Sequence, residues 1–382
     1  MSLSRVGLLA LFPLALVAYA CSSDDDDGKQ AGVIDAGTDT GSSSGDTSKD
    51  SGSTPAEDSG TPAEDAAADA SDGGAVVSCA GNPLGDNGDA GPIIVDSDAG
   101  ALTPIATGHF LDGPQWIDDG IVYSEVTSQV IVKNTPDGKT RRVLRATAAG
   151  TDLPIGNGRT GGFLYTALSR TTPGGKGAIL RMLIDGGDPI GFDAGEANSP
   201  NDLVASSKGF VYFTDPGYQN DGVSTGVYRL SPSGDITTIT KIDGGVNARA
   251  DGIALNAEEN ALFVGYFDQK RIVKYAVDAE GNASSPTDVA LTLADGPTGL
   301  AMDTAGNLWV AESPADDSLH GQVEVFSPTG QRWGAIPFND ARPTGVAFGG
   351  ADGLTVYVTT ERGSGGEDGT LYTFKTRCAG VR

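Results

Sequence analysis

The chain has 382 residues, of which 56 are glycine, and its formal net charge is −26. Acidity this strong argues against binding to nucleic acid, which requires clustered lysine and arginine to neutralise phosphates. Three cysteines and two histidines in so long a chain leave little room for a thiolate-rich or histidine-rich metal site.

The first 21 residues have the pattern of an export signal. Arg5 precedes VGLLALFPLALVAYA, a run too short to span a membrane but suited to the apolar part of a signal peptide. The run ends in AYAC, as at a bacterial lipoprotein processing site, although Ala18 stands where leucine is usual. We predict a lipoprotein-type signal peptide over residues 1–21, with Cys21 as the lipid-carrying N-terminus at the cell envelope, on the periplasmic or cell-surface side. Ordinary cleavage with free secretion is the alternative.

Residues 22–77 have the composition of an acidic spacer. Between Ser22 and Ala75 there are fourteen Asp or Glu against two Lys, among Ser, Gly, Thr, Ala and Pro. Such a segment cannot bury enough apolar surface to offset the entropy lost on ordering. We therefore expect a disordered tether that holds a folded domain, residues 78–382, off the membrane.

Cys79 and Cys378 stand at the two ends of this predicted domain. In an oxidising compartment they can form a disulfide, and closing so long a loop stabilises a fold by roughly 4–5 kcal/mol in the chain-entropy model. We predict this disulfide. Two unpaired cysteines are the alternative.

Beyond residue 100 the sequence consists of short apolar runs separated by Gly, Pro, Asp and Asn, the pattern of strands and turns. Runs such as GIVYSEV, GFVYFTD and NLWVAES each follow a similar opening segment. The equivalent residues of the six openings are spaced by 44 to 50 residues. They are Asp112, Asn157, Asn201, Asp251, Thr298 and Thr344.

A repeat of this length that contains several strands is typical of a propeller blade. Six repeats predict an all-β fold, a six-bladed β-propeller. An array of β-sandwiches is the rival fold, but it would not bring the two ends of the chain together. The run PIIVD at residues 92–96 is expected to close the ring beside TLYTFK. A closed ring leaves no strand edge that needs a partner, so we expect a monomer.

The innermost strand of each blade lines the axis of a propeller, so the six equivalent residues are expected to converge at one mouth of the channel. All six side chains carry oxygen, and Asp202 lies beside Asn201. Hard cations such as calcium prefer carboxylate, amide and hydroxyl oxygens, and facing carboxylates repel unless a cation or proton lies between them. The ring predicts a site for one divalent cation. For each residue, a hydrogen bond within its own turn is the alternative.

Three stretches of the repeat region match the motifs of a known family. They are LDGPQWIDDGIVYSEV (111–126), NSPNDLVASSKGFVYFTDPGY (198–218) and RPTGVAFGGADGLTVYVTT (342–360). In these stretches the chain resembles the senescence marker protein/gluconolactonase family, also called regucalcin-like. The resemblance implies a six-bladed propeller that binds one divalent cation, calcium first and zinc as an alternative, and that hydrolyses lactones.

The resemblance also assigns roles to individual residues. The family's cation ligands are a Glu before GP, an Asn before Gly and an Asp in PDG. By position they fall on Asp112, Asp251 and Thr298. The Asn of PND, which lines the substrate pocket, falls on Asn201, and we predict Asn157 and Thr344 as further substrate-binding residues. Thr298 replaces the Asp expected to accept a proton, and a threonine hydroxyl cannot act as a general base near neutral pH.

The sequence therefore predicts a metal-dependent hydrolase of a lactone or similar ester. In this prediction Asp251, or else Asp202, takes the proton from the attacking water. The alternative is a non-catalytic, surface-tethered propeller that binds a small ligand, a glycan or a protein, because propellers host both kinds of function. The two carboxylates predicted to hold the cation, Asp112 and Asp251, favour the hydrolase. Thr298, which stands in place of the family's proton acceptor, favours the non-catalytic alternative.

Overall fold

The computed structural model describes the chain from residue 102 to residue 381. Twenty-four strands lie in the described residues and form six antiparallel sheets of four strands each. The positions left undescribed within this range are 149, 172–174, 219–223, 244–248, 317 and 363–367. Among the described residues, no helix is long and apolar enough to cross a membrane.

The first strand, β1 (Thr103–Gly108), precedes the first blade and belongs to the last one. The first blade comprises β2 (Leu111–Ile117), β3 (Gly120–Glu125), β4 (Val130–Asn134) and β5 (Arg141–Ala146). The second comprises β6 (Asp152–Thr160), β7 (Phe163–Arg170), β8 (Ala178–Leu183) and β9 (Ile190–Asp193). The third comprises β10 (Leu203–Ala205), β11 (Val211–Asp215), β12 (Ser224–Leu230) and β13 (Ile236–Asp243).

The other three blades follow the same order. The fourth comprises β14 (Ala250–Leu255), β15 (Ala261–Tyr266), β16 (Arg271–Val277) and β17 (Ala283–Asp288). The fifth comprises β18 (Gly296–Met302), β19 (Leu308–Ser313), β20 (Gly321–Phe326) and β21 (Arg332–Phe338). The sixth comprises β22 (Arg342–Gly349), β23 (Thr355–Glu361), β24 (Gly369–Lys375) and β1.

The blades are arranged in a closed ring. Each innermost strand contacts the innermost strand of the next blade, from β2 through β6, β10, β14 and β18 to β22, and β22 contacts β2. The predicted all-β, six-bladed propeller is confirmed, and the first strand of each blade lines the axis.

The strand that completes the sixth blade is not the predicted one. β1 pairs with β24, from Thr103 opposite Thr373 to Gly108 opposite Gly369, so it fills the position that we expected residues 92–96 to take. Residues 92–96 lie outside the described residues. An outermost strand buries little apolar surface, and β1 is at least partly exposed along its length. The apolar character of PIIVD was therefore not a reliable indication that this run closes the ring.

The core lies between neighbouring blades. β3, β11 and β19 are buried at every position because each is the second strand of its blade, covered on both faces. Trp309 of β19 packs edge-on against Phe348 of β22, with 5.3 Å between ring centres. Burying aromatic rings of this size stabilises each interface by roughly 2–3 kcal/mol per side chain.

The predicted N-terminal features lie outside the described residues. They are the signal peptide with Cys21, the acidic spacer and Cys79. Cys378 is described and only 1% exposed. The lipid anchor, the tether and the disulfide between Cys79 and Cys378 therefore stay predictions.

Candidate functional site

The ring residues lie at or near the start of the innermost strands, except Asn157, which lies within β6, and β-bulges mark five of these places. Register shifts interrupt the pairing of the innermost strand in five blades, and they lie at Asp112/Gln115, Pro154/Asn157, Ala250/Ile253, Pro297/Gly299 and Pro343/Gly345. In the third blade, Asn201 and Asp202 directly precede β10. A β-bulge changes the direction of the side chain beside it. The repeat in the sequence therefore corresponds to a similar backbone irregularity in five of the six blades.

Glycines beside the ring residues let the innermost strands approach closely. A Cβ at Gly252 would lie 2.9 Å from the backbone of Gly299, and one at Gly299 would lie 2.6 Å from the Cα of Gly345. No side chain fits at these distances. The axis is therefore narrow next to the ring, which forces the polar side chains at the mouth into proximity.

Asp112 begins this site in the first blade. Its Oδ1 accepts the backbone N–H of Gly113 at 2.7 Å. Burial raises the pKa of Asp112 well above its usual range, and the negative charges of Asp202 and Asp251 raise it further. The carboxyl groups of Asp112, Asp202 and Asp251, all predicted to lie at the mouth, are thus close enough for their charges to raise the pKa of Asp112.

Asp251 is buried in the fourth blade with one oxygen engaged. The Tyr218 hydroxyl donates to Oδ2 at 2.5 Å. Burial raises the pKa of Asp251 to about 7, against the Tyr218 hydrogen bond and the positive charge of Arg249, which both lower it. Among the described residues no donor reaches Oδ1, so that oxygen is available to a water molecule or ligand.

Sequence reasoning missed three residues around Asp251. They are Tyr218, Arg249 and Asp268. The Arg249 guanidinium lies 4.9 Å from the centre of the Tyr218 ring and forms an ion pair with Asp268. Tyr218 is the last residue of the stretch that carries the most specific family motif. Its place in that stretch was the signal by which it could have been predicted as a site residue.

Asp202 differs from Asp251 because both of its oxygens are occupied. Oδ1 accepts the N–H of Leu203 at 2.8 Å, and Oδ2 accepts the N–H of Ile253 in the next blade at 3.1 Å. Burial raises the pKa of Asp202 to about 8 despite these two donors. The side chain links the third and fourth blades, which makes it less suited than Asp251 to accept a proton from water.

The Thr298 hydroxyl is also engaged with the backbone. It lies 2.8 Å from the carbonyl oxygen of Pro343 in the sixth blade and 3.1 Å from that of Ala311. The hydroxyl hydrogen is therefore directed at carbonyl groups. The oxygen lone pairs remain available to a cation.

Asn157 and Thr344 are buried and connect neighbouring blades. Asn157 donates through Nδ2 to the carbonyl of Gly113 at 2.9 Å and accepts from the Thr166 hydroxyl at 2.7 Å. Thr344 donates to the carbonyl of Leu111 at 2.6 Å. These contacts give both residues a structural role, which is the hydrogen-bonding alternative considered for each ring position.

Asn201 is the third predicted substrate-binding residue, and its surroundings differ. It is half-buried, and its backbone carbonyl accepts the N–H of Gly156 at 2.8 Å. Among the described residues no hydrogen bond engages its side chain. The substrate-binding role of Asn157, Asn201 and Thr344 stays a prediction, and Asn201 is the one whose amide is free to perform it.

A cavity of about 160 Å³ lies along the axis. Asn157 and Asp202 line it beside apolar residues of the innermost strands and beside polar side chains such as Arg159 and Glu259. Its lining is therefore mixed, and the other ring residues, Asp251 among them, do not border it.

The side chains at the mouth carry the kinds of oxygen that a hard divalent cation prefers. Asp112 and Asp251 each keep one carboxyl oxygen without a donor among the described residues, and Thr298 adds a hydroxyl oxygen. The raised pKa values of Asp112 and Asp251 reflect burial of both carboxyl groups, and the positive charge of Arg249 offsets this only in part at Asp251. Within the described residues, no three His, Cys, Asp or Glu side chains form a metal cluster. A cation would therefore depend on neutral oxygens as well as on the two carboxylates.

The fold and the site define a class of protein: a six-bladed β-propeller with carboxylate, amide and hydroxyl groups at one mouth of its axis. Within this class, the sequence pattern of the SMP-30/Gluconolactonase/LRE-like region matches residues 110–362. The chain belongs to this family, as its motifs predicted.

Curated relatives include enzymes that act on lactones. The chain is 28% identical over 286 residues to the gluconolactonase of Zymomonas mobilis, an alignment that covers 65% of this chain and 75% of that protein. It is 31% identical over 219 residues to the lactonase drp35 of Staphylococcus saprophyticus, covering 53% of this chain and 64% of that one.

Solved structures share the fold. A gluconolactonase from Xanthomonas campestris is 20% identical with a TM-score of 0.55, and the match covers 73% of this chain and 98% of that chain. Regucalcin from Agrobacterium tumefaciens, a calcium-binding protein, is 12% identical with a TM-score of 0.57, covering 74% and 98%. At such identities the likeness shows the propeller fold alone.

Proposed function

We propose that this protein hydrolyses a lactone or similar ester at the channel mouth, with Asp251 as the general base. The observation that carries the proposal is the Asp251 carboxyl group, which is 4% exposed and whose Oδ1 has no donor among the described residues, while Tyr218 holds Oδ2. Burial raises its pKa toward the range in which a general base is most effective. The lactonases among the curated relatives supply the reaction class.

Asp251 is better arranged for this role than Asp202. Tyr218 holds Oδ2 of Asp251 and leaves Oδ1 to take a proton from water, whereas backbone N–H groups occupy both oxygens of Asp202. The hydroxide formed attacks the lactone carbonyl carbon, and the bond from that carbon to the ring oxygen breaks. Asp251 then returns its proton to the departing oxygen, so that water and lactone give one hydroxy acid.

A divalent cation, calcium first and zinc as the alternative, would be held by Asp112, Asp251 and Thr298. Bound there, it would supply positive charge that polarises the lactone carbonyl and stabilises the charge developing on its oxygen. The all-oxygen donor set supports calcium, and so does the description of the Agrobacterium regucalcin as a calcium-binding protein. Asn201 would bind the substrate's hydroxyl groups through its amide, and Asn157 and Thr344 would contribute only so far as their contacts between blades leave an oxygen available.

The proposal includes the protein's location. The N-terminal sequence supports export and a lipid on Cys21, with the acidic spacer holding the catalytic domain away from the membrane. The closed ring of blades supports a monomer that meets its substrate outside the cytoplasm.

One observation favours a second candidate, a propeller that binds a ligand without cleaving it. Thr298 occupies the position where the family motif has its Asp, and its hydroxyl points at two backbone carbonyls. If the reaction depended on a carboxylate at that position, the chain would keep a binding site and lose the chemistry.

The test is an assay of the purified full chain on a panel of sugar and aliphatic lactones, with added calcium or zinc and in parallel with chelator. We expect turnover that chelator abolishes and the cation restores. Tight binding of a lactone or sugar acid without turnover would favour the second candidate, and turnover unaffected by chelator would remove the cation from the proposal.

A further inference from the structure

We propose that Tyr218 is a positioning residue for Asp251 and that its ring forms a wall of the substrate site. The inference rests on the proposed function. It adds to the site a residue that is not one of the six equivalent ring positions. Tyr218 follows β11 in the third blade, whereas Asp251 lies in β14 of the fourth. Their contact therefore joins two blades across the mouth.

The hydroxyl of Tyr218 fixes the direction of the Asp251 carboxylate. Its hydrogen bond to Oδ2, at 2.5 Å, removes rotation about the last side-chain bond of Asp251. Oδ1, which has no donor among the described residues, is then the oxygen left to accept a proton from a water molecule. Correct orientation of a reacting group is worth large rate factors because small misplacements of it are costly.

Tyr218 itself is held at its backbone. Asp215, which is fully buried, accepts the N–H of Gly217 at 2.8 Å through Oδ1 and that of Asn198 at 2.7 Å through Oδ2. One carboxylate thus fastens the segment that presents Tyr218 and the segment that leads to Asn201. Gly217 has a φ of +72°, a conformation that other residues rarely adopt.

The ring of Tyr218 is fixed from the side of the fourth blade. Arg249 lies 4.9 Å from its centre and 4.8 Å from the centre of the Phe267 ring. The ion pair with Asp268 holds the guanidinium in place. Cation–π contact of this kind favours one orientation of the ring.

The exposed part of the Tyr218 ring is available to a substrate. Three large hydrophobic side chains are notably exposed among the described residues: Val143 at 45%, Ile190 at 45% and Tyr218 at 40%. Val143 and Ile190 lie on the outermost strands β5 and β9, far from the axis, whereas Tyr218 lies beside Asp251. An aromatic face at a polar mouth suits the C–H face of a small, flat ring such as a lactone.

The experiment separates the two roles of Tyr218 in the full chain. Tyr218→Phe removes the hydroxyl and keeps the ring, so we expect kcat to fall about 10- to 100-fold with KM nearly unchanged. Tyr218→Leu removes both, so KM should also rise, by about threefold to tenfold. Tyr212→Phe is the control, because it deletes a buried hydroxyl of the same blade, bonded to Gly281. It should leave both constants unchanged.

A double variant distinguishes positioning from a general structural effect. If the hydroxyl acts through Asp251, Tyr218→Phe should lower kcat in the wild-type background and have no further effect in Asp251→Asn. The same loss in both backgrounds, or no loss in either, would overturn the inference while an active wild type upholds the proposed function. A wild type that hydrolyses no lactone would overturn the proposed function and this role with it.

Discussion

The Thr298 hydroxyl donates a hydrogen bond to the carbonyl oxygen of Pro343, 2.8 Å away in the next blade. Thr344 forms the same kind of bond to Leu111 at the following interface, with a distance of 2.6 Å. Ring positions that repeat in sequence therefore serve two purposes. Some connect the blades, and the carboxyl groups among them remain for a ligand.

The connection made by Thr298 should be measurable as stability. Thr298→Val keeps the shape and removes the donor, so we expect the free energy of unfolding to fall by about 1 kcal/mol. The loss stays moderate because the Ser313 hydroxyl also donates to Pro343, at 2.6 Å. Urea denaturation gives the value, with Thr298→Ser as the control that retains the bond. A loss as large in Thr298→Ser would contradict the account.

A carboxylate restored at position 298 should strengthen cation binding. We expect Thr298→Asp to bind calcium about tenfold more tightly than the wild type, because it adds a third negative charge to Asp112 and Asp251. Saturating calcium should then stabilise this variant by about 1.4 kcal/mol more than the wild type. Thermal unfolding with calcium and with chelator measures the difference. Thr298→Asn provides the uncharged control, and an equal response of both variants would argue against a cation at this mouth.

The pH dependence of hydrolysis should follow Asp251. Burial raises its pKa to about 7 in the absence of a cation, a bound cation favours the charged carboxylate and lowers this pKa, and only the deprotonated carboxylate accepts a proton. We therefore expect kcat/KM to rise with pH to a plateau, with a midpoint below about 7 when the cation is bound, and to fall about tenfold per pH unit well below the midpoint. Initial rates corrected for spontaneous lactone hydrolysis test this. If Asp251→Asn retained the same midpoint as the wild type, Asp251 would be excluded as the base.

A second buried acid in the fifth blade should make stability depend on pH. Burial, a hydrogen bond with Glu324 and the negative charge of Glu324 together raise the pKa of Glu312 from the usual 4.5 to about 9. Glu324 is itself paired with Arg332 at 2.5 Å. Glu312 therefore retains in the folded state a proton that the unfolded chain releases. Its contribution is fully present below pH 4.5 and is lost as the pH rises toward 9.

Glu312→Gln should remove this dependence. The amide keeps an oxygen for the N–H of Asp295, which Glu312 accepts at 2.8 Å, and it carries no charge at any pH. We expect the variant to be more stable than the wild type by roughly 1–3 kcal/mol at pH 8.5, and nearly equal to it at pH 5. Urea denaturation at the two pH values measures the difference. A variant that is less stable at pH 8.5 would show that Glu312 is charged in the folded protein.

The repeat made the fold predictable from the sequence. A period near 45 residues, with a polar residue before each apolar run, was sufficient to place six blades and to bring residues as distant as Asp112 and Asp251 to one mouth. The closing strand was misplaced because an outermost strand such as β1 carries little hydrophobic signal.

The details of the site were less accessible because they depend on three-dimensional contacts. In the sequence, Asp202 and Asp251 are indistinguishable as candidate bases. In the structure, hydrogen-bond donors contact both oxygens of Asp202 and only one oxygen of Asp251. Tyr218 was missed because it lies in another blade from Asp251 and has no equivalent in the repeat pattern. The hydrogen bond from Tyr218 to Asp251 therefore leaves no periodic trace in the sequence.

Comparing Asp251→Asn with Asp202→Asn in hydrolysis of the best lactone tests the central claim most directly. We predict that Asp251→Asn folds normally and loses about 100- to 10,000-fold in kcat. Asp202→Asn places an amide NH₂ against backbone donors and should lose mainly stability. Retention of wild-type turnover by Asp251→Asn would contradict the account, because the reaction would then not need a proton acceptor at position 251.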